Sequence, residues 1–491
     1  MSRFWSMRVL IPAVLGILLL SPMGFAHAYY SGENAALEIG QAAGPNQFTT
    51  NAGAATVSSF NLPHDVAFDL SGNMWVSDTD NNRILEFAYP FSDGEAASVE
   101  IGQPAGANAF TTSAPTTTAT GLSNPEHIAF DSSGDLWVAD EVNQRVLEFV
   151  PGTAPCASGQ FCNGMGASIV IGQSLFTTHG TGTTASTFSA PKSLGFDASG
   201  NLWVVDQGNA RVLEFTAPFS SGMSASVVIG QTSFTTHAPA TTASGLSEPK
   251  DLAFSGGNLW VTDSGSRVLE YIPGTGECSA GHLCSGMSAS FEVGQPAGGN
   301  EFTDNECGLT ASTVCDIDGI AFDSSGDLWV GDHGNDRVLE FAAGSLVGTD
   351  GPSAIRVIGA PDFTTDTGTT TQSTLEGPSG LAFDSAGHLW VADNFNNRVM
   401  EFTDLAAPSP PPTTPVCPGT AGGSLMPAGA TFAYGSSTFV APSGNQGSTG
   451  TWSSYFFVGS QGTVPQPMML GWAGAFGTYN GQQGWVVTFY C

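Results

Sequence analysis

Hydrophobic and polar positions follow one measure through most of this chain. A short apolar run is followed by a polar turn, then an aromatic run ending in aspartate. A second turn follows, and then a third run that opens on arginine. The fullest copies read NPEHIAFDSSGDLWVADEVNQRVLEF (124–149) and GPSGLAFDSAGHLWVADNFNNRVMEF (377–402). Six copies occur, centred on Trp75, Trp137, Trp203, Trp260, Trp329 and Trp390. The first copy shows four strand-like runs, at 65–69, 73–78, 83–88 and 98–103. Each run is rich in β-branched and aromatic residues, with Gly, Asn, Asp or Ser clusters between. Self-similarity at a near-constant period marks a repeat architecture. Four antiparallel strands repeated radially predict an all-β propeller with six blades.

The two ends of the array predict how it closes. The sixth copy stops at RVMEFTD (398–404) without a fourth run, while an orphan fourth run, AALEIGQ (35–41), opens the array. That run is followed by the Phe-Thr-Thr loop that follows the other fourth runs. The N-terminal strand is therefore expected to complete blade six, covering an edge whose unpaired backbone groups would invite aggregation. The motif set P-x-x-[LI]-A-F-D, G-x-L-W-V-x-D and N-x-R-V-L-E-F resembles the NHL-repeat propellers over residues 35–404. The resemblance implies the six-bladed fold. It implies little about activity, because that fold carries binding modules, scaffolds and enzymes.

Segments outside the array read differently. Residues 1–28 have Arg3 and Arg8 ahead of the apolar run VLIPAVLGILLL and a small-residue site at Ala26-His27-Ala28, the pattern of a signal peptide. Residues 29–404 hold the propeller, and 405–415 form a Pro-rich linker. Residues 416–491 contain no Asp, Glu, Lys, Arg or His and carry strand-like runs at 430–435, 453–460 and 484–491. They are read as a small β-sandwich in which Trp452, Trp472 and Trp485 belong to the core. The chain is expected to be secreted, periplasmic or displayed at the cell surface, with no membrane insertion.

Charge and cysteine narrow the function classes. A net charge of −32 disfavours nucleic acid and anionic lipid as partners. The eight cysteines fall into local pairs, Cys156/Cys162, Cys278/Cys284, Cys307/Cys315 and Cys417/Cys491. In an exported chain these read as disulfides rather than zinc ligands.

The six Asp–Arg couples that end the second run and start the third (Asp78 and Arg83 in the first copy) occur identically in every blade. They are read as structural, a carboxylate and guanidinium bridging one loop. Departures from the repeat are where chemistry is expected. The position after the repeat proline, or its equivalent, holds His64, Glu126, Lys192, Lys250, Asp318 and Ser379. The next position holds Asp65, His127, Ser193, Asp251, Gly319 and Gly380. In a propeller this ring lies at the mouth of the central channel. Lys192 and Lys250 are the chain's two lysines, at equivalent places in adjacent blades.

Two arrangements suit such a ring, a ligand pocket or a plug of mutual ion pairs. Pro63-His64-Asp65-Val66-Ala67 resembles the zinc-ligand run of the peptidyl-amidoglycolate lyase branch, which implies Zn²⁺ at His64. The other blades supply no histidine there, however, and His127 is displaced by one. Glu126, Asp318 and Asp65 are similar to the calcium set of lactonase-like propellers, beside lysines that disfavour a dication. No cofactor is expected. The leading expectation is a non-catalytic module binding an extracellular protein or glycan through its Thr-rich loops (47–56, 109–120, 175–187, 233–244, 301–313 and 362–374). The competing expectation is a channel-mouth lyase or hydrolase using His64, Glu126, Lys192, Lys250 and Asp318.

Overall fold

The computed structural model describes residues 31–403, except 45–46, 107–108, 297, 299–301 and 349–350, together with five backbone strands between 431 and 490. The chain divides into two compact units at residues 404/405. The expected signal peptide, linker and Cys417–Cys491 bond lie outside the described residues.

The first unit is a six-bladed propeller. Blades one to five are four-stranded antiparallel sheets whose strand order follows the sequence. Blade two shows the common plan, with strands Pro125–Phe130, Leu136–Asp140, Arg145–Phe149 and Ile169–Ile171 from the channel outward. Blade six takes its outer strand from the other end of the array. Leu37–Ile39 pairs antiparallel with Arg398–Phe402, matching Glu38 to Met400. The ring therefore closes as the orphan N-terminal run predicts.

The tryptophans hold each blade to the next. Each ring meets, edge to face, the Phe that ends the inner strand of the following blade. The pairs are Trp75–Phe130 at 5.7 Å, Trp137–Phe196 at 5.7 Å, Trp203–Phe254 at 5.9 Å, Trp260–Phe322 at 5.5 Å and Trp329–Phe383 at 5.9 Å. Trp390 and Phe68 complete the circle at 5.8 Å. Each indole is buried, so every sheet is covered on both faces, which is why the runs are so uniformly apolar.

In five blades the aspartate after the inner strand also accepts the indole N–H, as Asp131 Oδ2 does from Trp137 Nε1 at 3.2 Å. Blade four lacks this bond. Its hairpin is one residue shorter, turning through Gly256 and Gly257 with φ of 59° and 87°, the twist that a two-residue hairpin turn requires. Ser255 replaces the aspartate, and Trp260 Nε1 is buried without a hydrogen-bond partner. Replacement of Trp137 by Phe forfeits a hydrogen bond, whereas Trp260→Phe removes an unsatisfied donor. Thermal melts should therefore show Trp137→Phe more destabilising by about 1–2 kcal/mol.

Each repeat arginine is fully buried and joins three pieces of chain. Arg83 donates to Asp78 (2.7 Å), to Glu100 (3.0 Å), to the carbonyls of Thr56 (2.8 Å) and Ser59 (3.1 Å) in the preceding Thr-rich loop, and to that of Phe110 (3.0 Å) in the next. The same Phe carbonyl is held in every blade, at Phe48, Phe110, Phe176, Phe234, Phe302 and Phe363. These Phe side chains pack on the blade cores. The Asp–Arg couples are thus loop anchors, in keeping with the structural reading.

Three cysteine pairs are joined: Cys156–Cys162, Cys278–Cys284 and Cys307–Cys315. Among the described residues no helix is long and apolar enough to cross a membrane. In the second unit, strands Thr431–Tyr434, Ser437–Val440, Trp452–Val458, Trp472–Tyr479 and Gln482–Tyr490 form one antiparallel sheet, with the last strand between the third and fourth.

Candidate functional site

The inner strands deliver their first side chains to the channel mouth. The residue after the repeat proline is held in place because its neighbours are pinned between blades. Ser77 Oγ donates to the Glu126 carbonyl at 2.7 Å, and Ser379 Oγ to that of His64 at 2.7 Å. On the side of blades five and six the strands approach closely. A Cβ at Gly319 would overlap the Ser379 carbonyl, and one at Gly380 would overlap Asp65. Glycine at these two ring positions is therefore a packing requirement.

The structure brings all eight charged ring residues into two layers of ion pairs. In the outer layer Lys192 Nζ lies 2.8 Å from Glu126 Oε2, and His64 Nε2 lies 3.1 Å from the same oxygen. His64 Nε2 also lies 3.6 Å from Asp318 Oδ2. Lys250 Nζ stands 3.0 Å from Asp318 Oδ1 and 2.6 Å from Asp316 Oδ1. In the inner layer His127 Nε2 bridges Asp65 (3.4 Å) and Asp251 (3.5 Å), carboxylates from blades one and four. Asp65 Oδ2 accepts the Ile128 N–H and Asp251 Oδ2 the Ile320 N–H, so both reach across to other blades. Ser193 Oγ donates to Asp251 Oδ1 at 2.6 Å.

Two members of this cluster were not singled out by the sequence reading. His333 lies 3.7 Å from Asp318 and 3.7 Å from Asp316, its ring edge-on to Phe395. Both Asp316 and His333 sit in blade five, where Ile317 replaces the repeat proline and CDIDG departs from the pattern. That departure was the available signal.

Charge balance inside the cluster shows in its acidities. Burial alone would push Asp318 up, but His64, Lys192 and Lys250 together outweigh it and hold this carboxyl well below its ordinary value. Glu126 is likewise lowered, with His64 and Lys192 overcoming burial. Lys192 and Lys250 are raised, because their carboxylate partners overcome burial. Asp65, lacking an ammonium neighbour, is raised by burial. A metal fits this cluster poorly. A dication among Glu126, Asp318 and His64 would face two ammonium groups already seated on those carboxylates.

The sequence pattern of the NHL repeat matches residues 122–149 and 375–402, within blades two and six of the closed ring. The chain is a six-bladed β-propeller with NHL repeats at these two places. Among curated proteins none matches it by sequence. Three solved structures to which it is similar are the following. Virginiamycin B lyase from Staphylococcus aureus is 11% identical, covering 70% of this chain and 94% of that one, with a TM-score of 0.39. A gluconolactonase from Xanthomonas campestris is 14% identical, covering 77% and 98%, with a TM-score of 0.41. An auxiliary nutrient binding protein from Bacteroides ovatus is 11% identical, covering 75% of each chain, with a TM-score of 0.43.

The propeller's channel mouth carries a pH signature. The lowered carboxyls Asp318 and Glu126 contribute stability above the unfolded carboxylate pKa of about 4. That contribution is lost as pH falls through their lower folded values. Melting temperature should therefore drop between about pH 4 and pH 2. Asp318→Asn should flatten that acid limb while lowering stability at neutral pH, because Lys250 loses a partner. An unchanged acid limb in the variant would refute the assignment.

A second feature of this propeller face is a cleft of about 540 Å³ beside the third Thr-rich loop. Ser174, Thr177, Thr178, His179, Ser186 and Thr187 line it, together with backbone glycines. Its side chains are mostly hydroxyls, with no carboxylate or lysine among them.

Proposed function

We propose that this NHL propeller is an exported, non-catalytic binding module that engages an extracellular glycan or polypeptide through its Thr-rich loops. One observation carries the reading: the channel-mouth charges are spent on each other, in ion pairs running between blades. The chemically varied surface left on that face belongs to the loops. The hydroxyl-lined cleft at residues 172–187 suits a neutral ligand that offers hydrogen bonds, since Ser and Thr both donate and accept. Three cystines suit an oxidising compartment, which supports export.

The test uses the mature chain against a glycan array and against extracellular polypeptides of its own source. The triple change Thr177→Ala, Thr178→Ala and His179→Ala touches exposed or half-buried positions. It should leave the stability within about 0.5 kcal/mol of wild type and lower binding at least tenfold. Binding that survives the change unaltered refutes the loop assignment.

A second reading, a channel-mouth lyase or hydrolase, is favoured by one observation. His64, Glu126, Lys192, Lys250 and Asp318 do meet in one cluster, and the ring nitrogens of His64 are buried outside hydrogen-bond geometry. Turnover on a lactone and amide-lyase panel that disappears in both His64→Ala and Lys192→Ala would establish it.

A further inference from the structure

On the face opposite the Thr-rich loops, each blade has a corner where the turn after the inner strand meets the glutamate of the third strand. Five blades fill that corner with nitrogen donors. In blade one Asn73 Nδ2 donates to Asp69 (2.9 Å) and Glu86 (3.0 Å). In blade three Asn201 does the same with Asp197 (3.0 Å) and Glu214 (3.1 Å). Blade four uses Asn258 on Glu270 (2.7 Å), and blade six uses His388 between Asp384 (3.1 Å) and Glu401 (2.9 Å). Blade five has a third carboxylate, Asp327, but Arg356 reaches Glu340 at 3.1 Å, and the Ala343 N–H binds Asp327.

Blade two differs from all of these. Asp131, Asp135 and Glu148 converge with one oxygen each inside 4.8 Å of the others. Asp131 is fixed by donors on its outer side, from the Ser133 and Asp135 N–H groups and the Trp137 indole. Glu148 is 8% exposed and lies beside Asp131 and Asp135, and its carboxylate has no hydrogen-bond or ion-pair partner among the described residues. Burial, with Asp135 and Asp131 adding repulsion, pushes its carboxyl up to about 7. The corner is built like its five counterparts but lacks the positive or donating group that each of them supplies.

We propose that blade two binds a calcium ion through Asp131, Asp135 and Glu148. Three carboxylates without His or Cys select a hard, oxygen-seeking dication over a transition metal. A turn and a strand edge, open to solvent on one side, suit the flexible 6–8-oxygen shell of Ca²⁺, with water completing it, better than the strict octahedron of Mg²⁺. The site is separate from the loop face, so its failure leaves the proposed binding function untouched.

The experiment uses chelator-stripped mature protein titrated with CaCl₂ or MgCl₂, read by calorimetry and thermal melts. Asp135→Asn installs the residue that blades one and three carry, so this variant should fold. Asp327→Asn makes the same change in blade five and serves as the control. Wild type and Asp327→Asn should gain at least about 2 °C in melting temperature from saturating Ca²⁺, with a smaller gain from Mg²⁺. Asp135→Asn should lose that gain, bind Ca²⁺ at least tenfold more weakly, and melt above metal-free wild type. Terbium emission excited through Trp137 should fall in Asp135→Asn and persist in Asp327→Asn. No Ca²⁺ response in wild type overturns the proposal. So does an equal loss in both variants, which would assign the response to the acidic surface in general.

Discussion

A chain that starts at residue 42 instead of 29 should fail to give a stable monomer, the largest effect expected of any change to this propeller. The missing segment supplies the outer strand of blade six. Without it Arg398–Phe402 becomes an exposed edge, and such edges pair with other chains. Ile39 and Ala35 leave fully buried positions in the core. Arg398 loses Glu38, which it contacts at 3.1 Å inside the protein. Glu38 also holds the Phe48 N–H at 2.7 Å, and Gln41 caps the Asn397 carbonyl at 2.7 Å. Stranding one partner of a buried ion pair costs about 3–5 kcal/mol, and the lost apolar burial adds about 2 kcal/mol for each large side chain. The sum rivals the whole stability of an ordinary domain. Size-exclusion chromatography and circular dichroism of the two chains decide the matter. A truncated chain that elutes as a monomer and melts like the longer one would show that the ring does not depend on this closure.

The second large effect is expected from Arg83→Ala. It removes five hydrogen bonds at once and leaves Asp78 and Glu100 buried beside an empty space. A loss of about 3–5 kcal/mol is expected. Arg83→Lys should recover little, because a compact ammonium cannot reach both loops as the guanidinium fork does. The deficit should also depend on pH. Burial pushes Asp78 up to about 6 even with Arg83 beside it. A carboxyl raised in the folded state contributes stability below its unfolded pKa and loses it as pH rises. Without Arg83 the carboxyl rises further, so the variant should melt lower at pH 8 than at pH 5, relative to wild type. Limited proteolysis should also find new cleavage in 109–120, the loop whose Phe110 carbonyl Arg83 holds. A variant that melts within 1 kcal/mol of wild type, with no such cleavage, would contradict this account.

Much of the fold was legible in the chain because each blade is built locally. Strand alternation, tight Gly turns and the Trp-to-Phe spacing repeat inside about 60 residues, so six copies report on the same geometry. The unmatched run at 35–41 disclosed closure because a blade one strand short has one obvious donor. The Asp–Arg couples were read correctly as structural, although the carbonyls they reach, in loops on both sides, lie beyond sequence inspection. Blade four's hairpin is one residue shorter in the sequence itself. The orphaned Trp260 indole that follows from it was not legible there, since the acceptor is lost through turn geometry.

The candidate site was legible only in part. The ring residues His64, Glu126, Lys192, Lys250 and Asp318 emerged as departures from the repeat. Asp316 and His333 did not, because they lie outside the two positions after the repeat proline, and only the CDIDG departure in blade five pointed toward them.

The sequence by itself determined the number of blades, the strand order and the way the ring closes, since these depend on short-range periodicity and on counting. Tertiary structure decided what the departures do. Asp65 and Asp251 come from blades one and four, yet both meet His127, and that meeting exists only once the ring has closed. Charges separated by whole blades in sequence are ångströms apart at the channel mouth and largely buried there, where Coulomb attraction is strong enough to bind them to one another. The bare carboxylate corner in blade two became visible for the same reason. Only superposed blades reveal that five of them place a donor or a cation where the second places none.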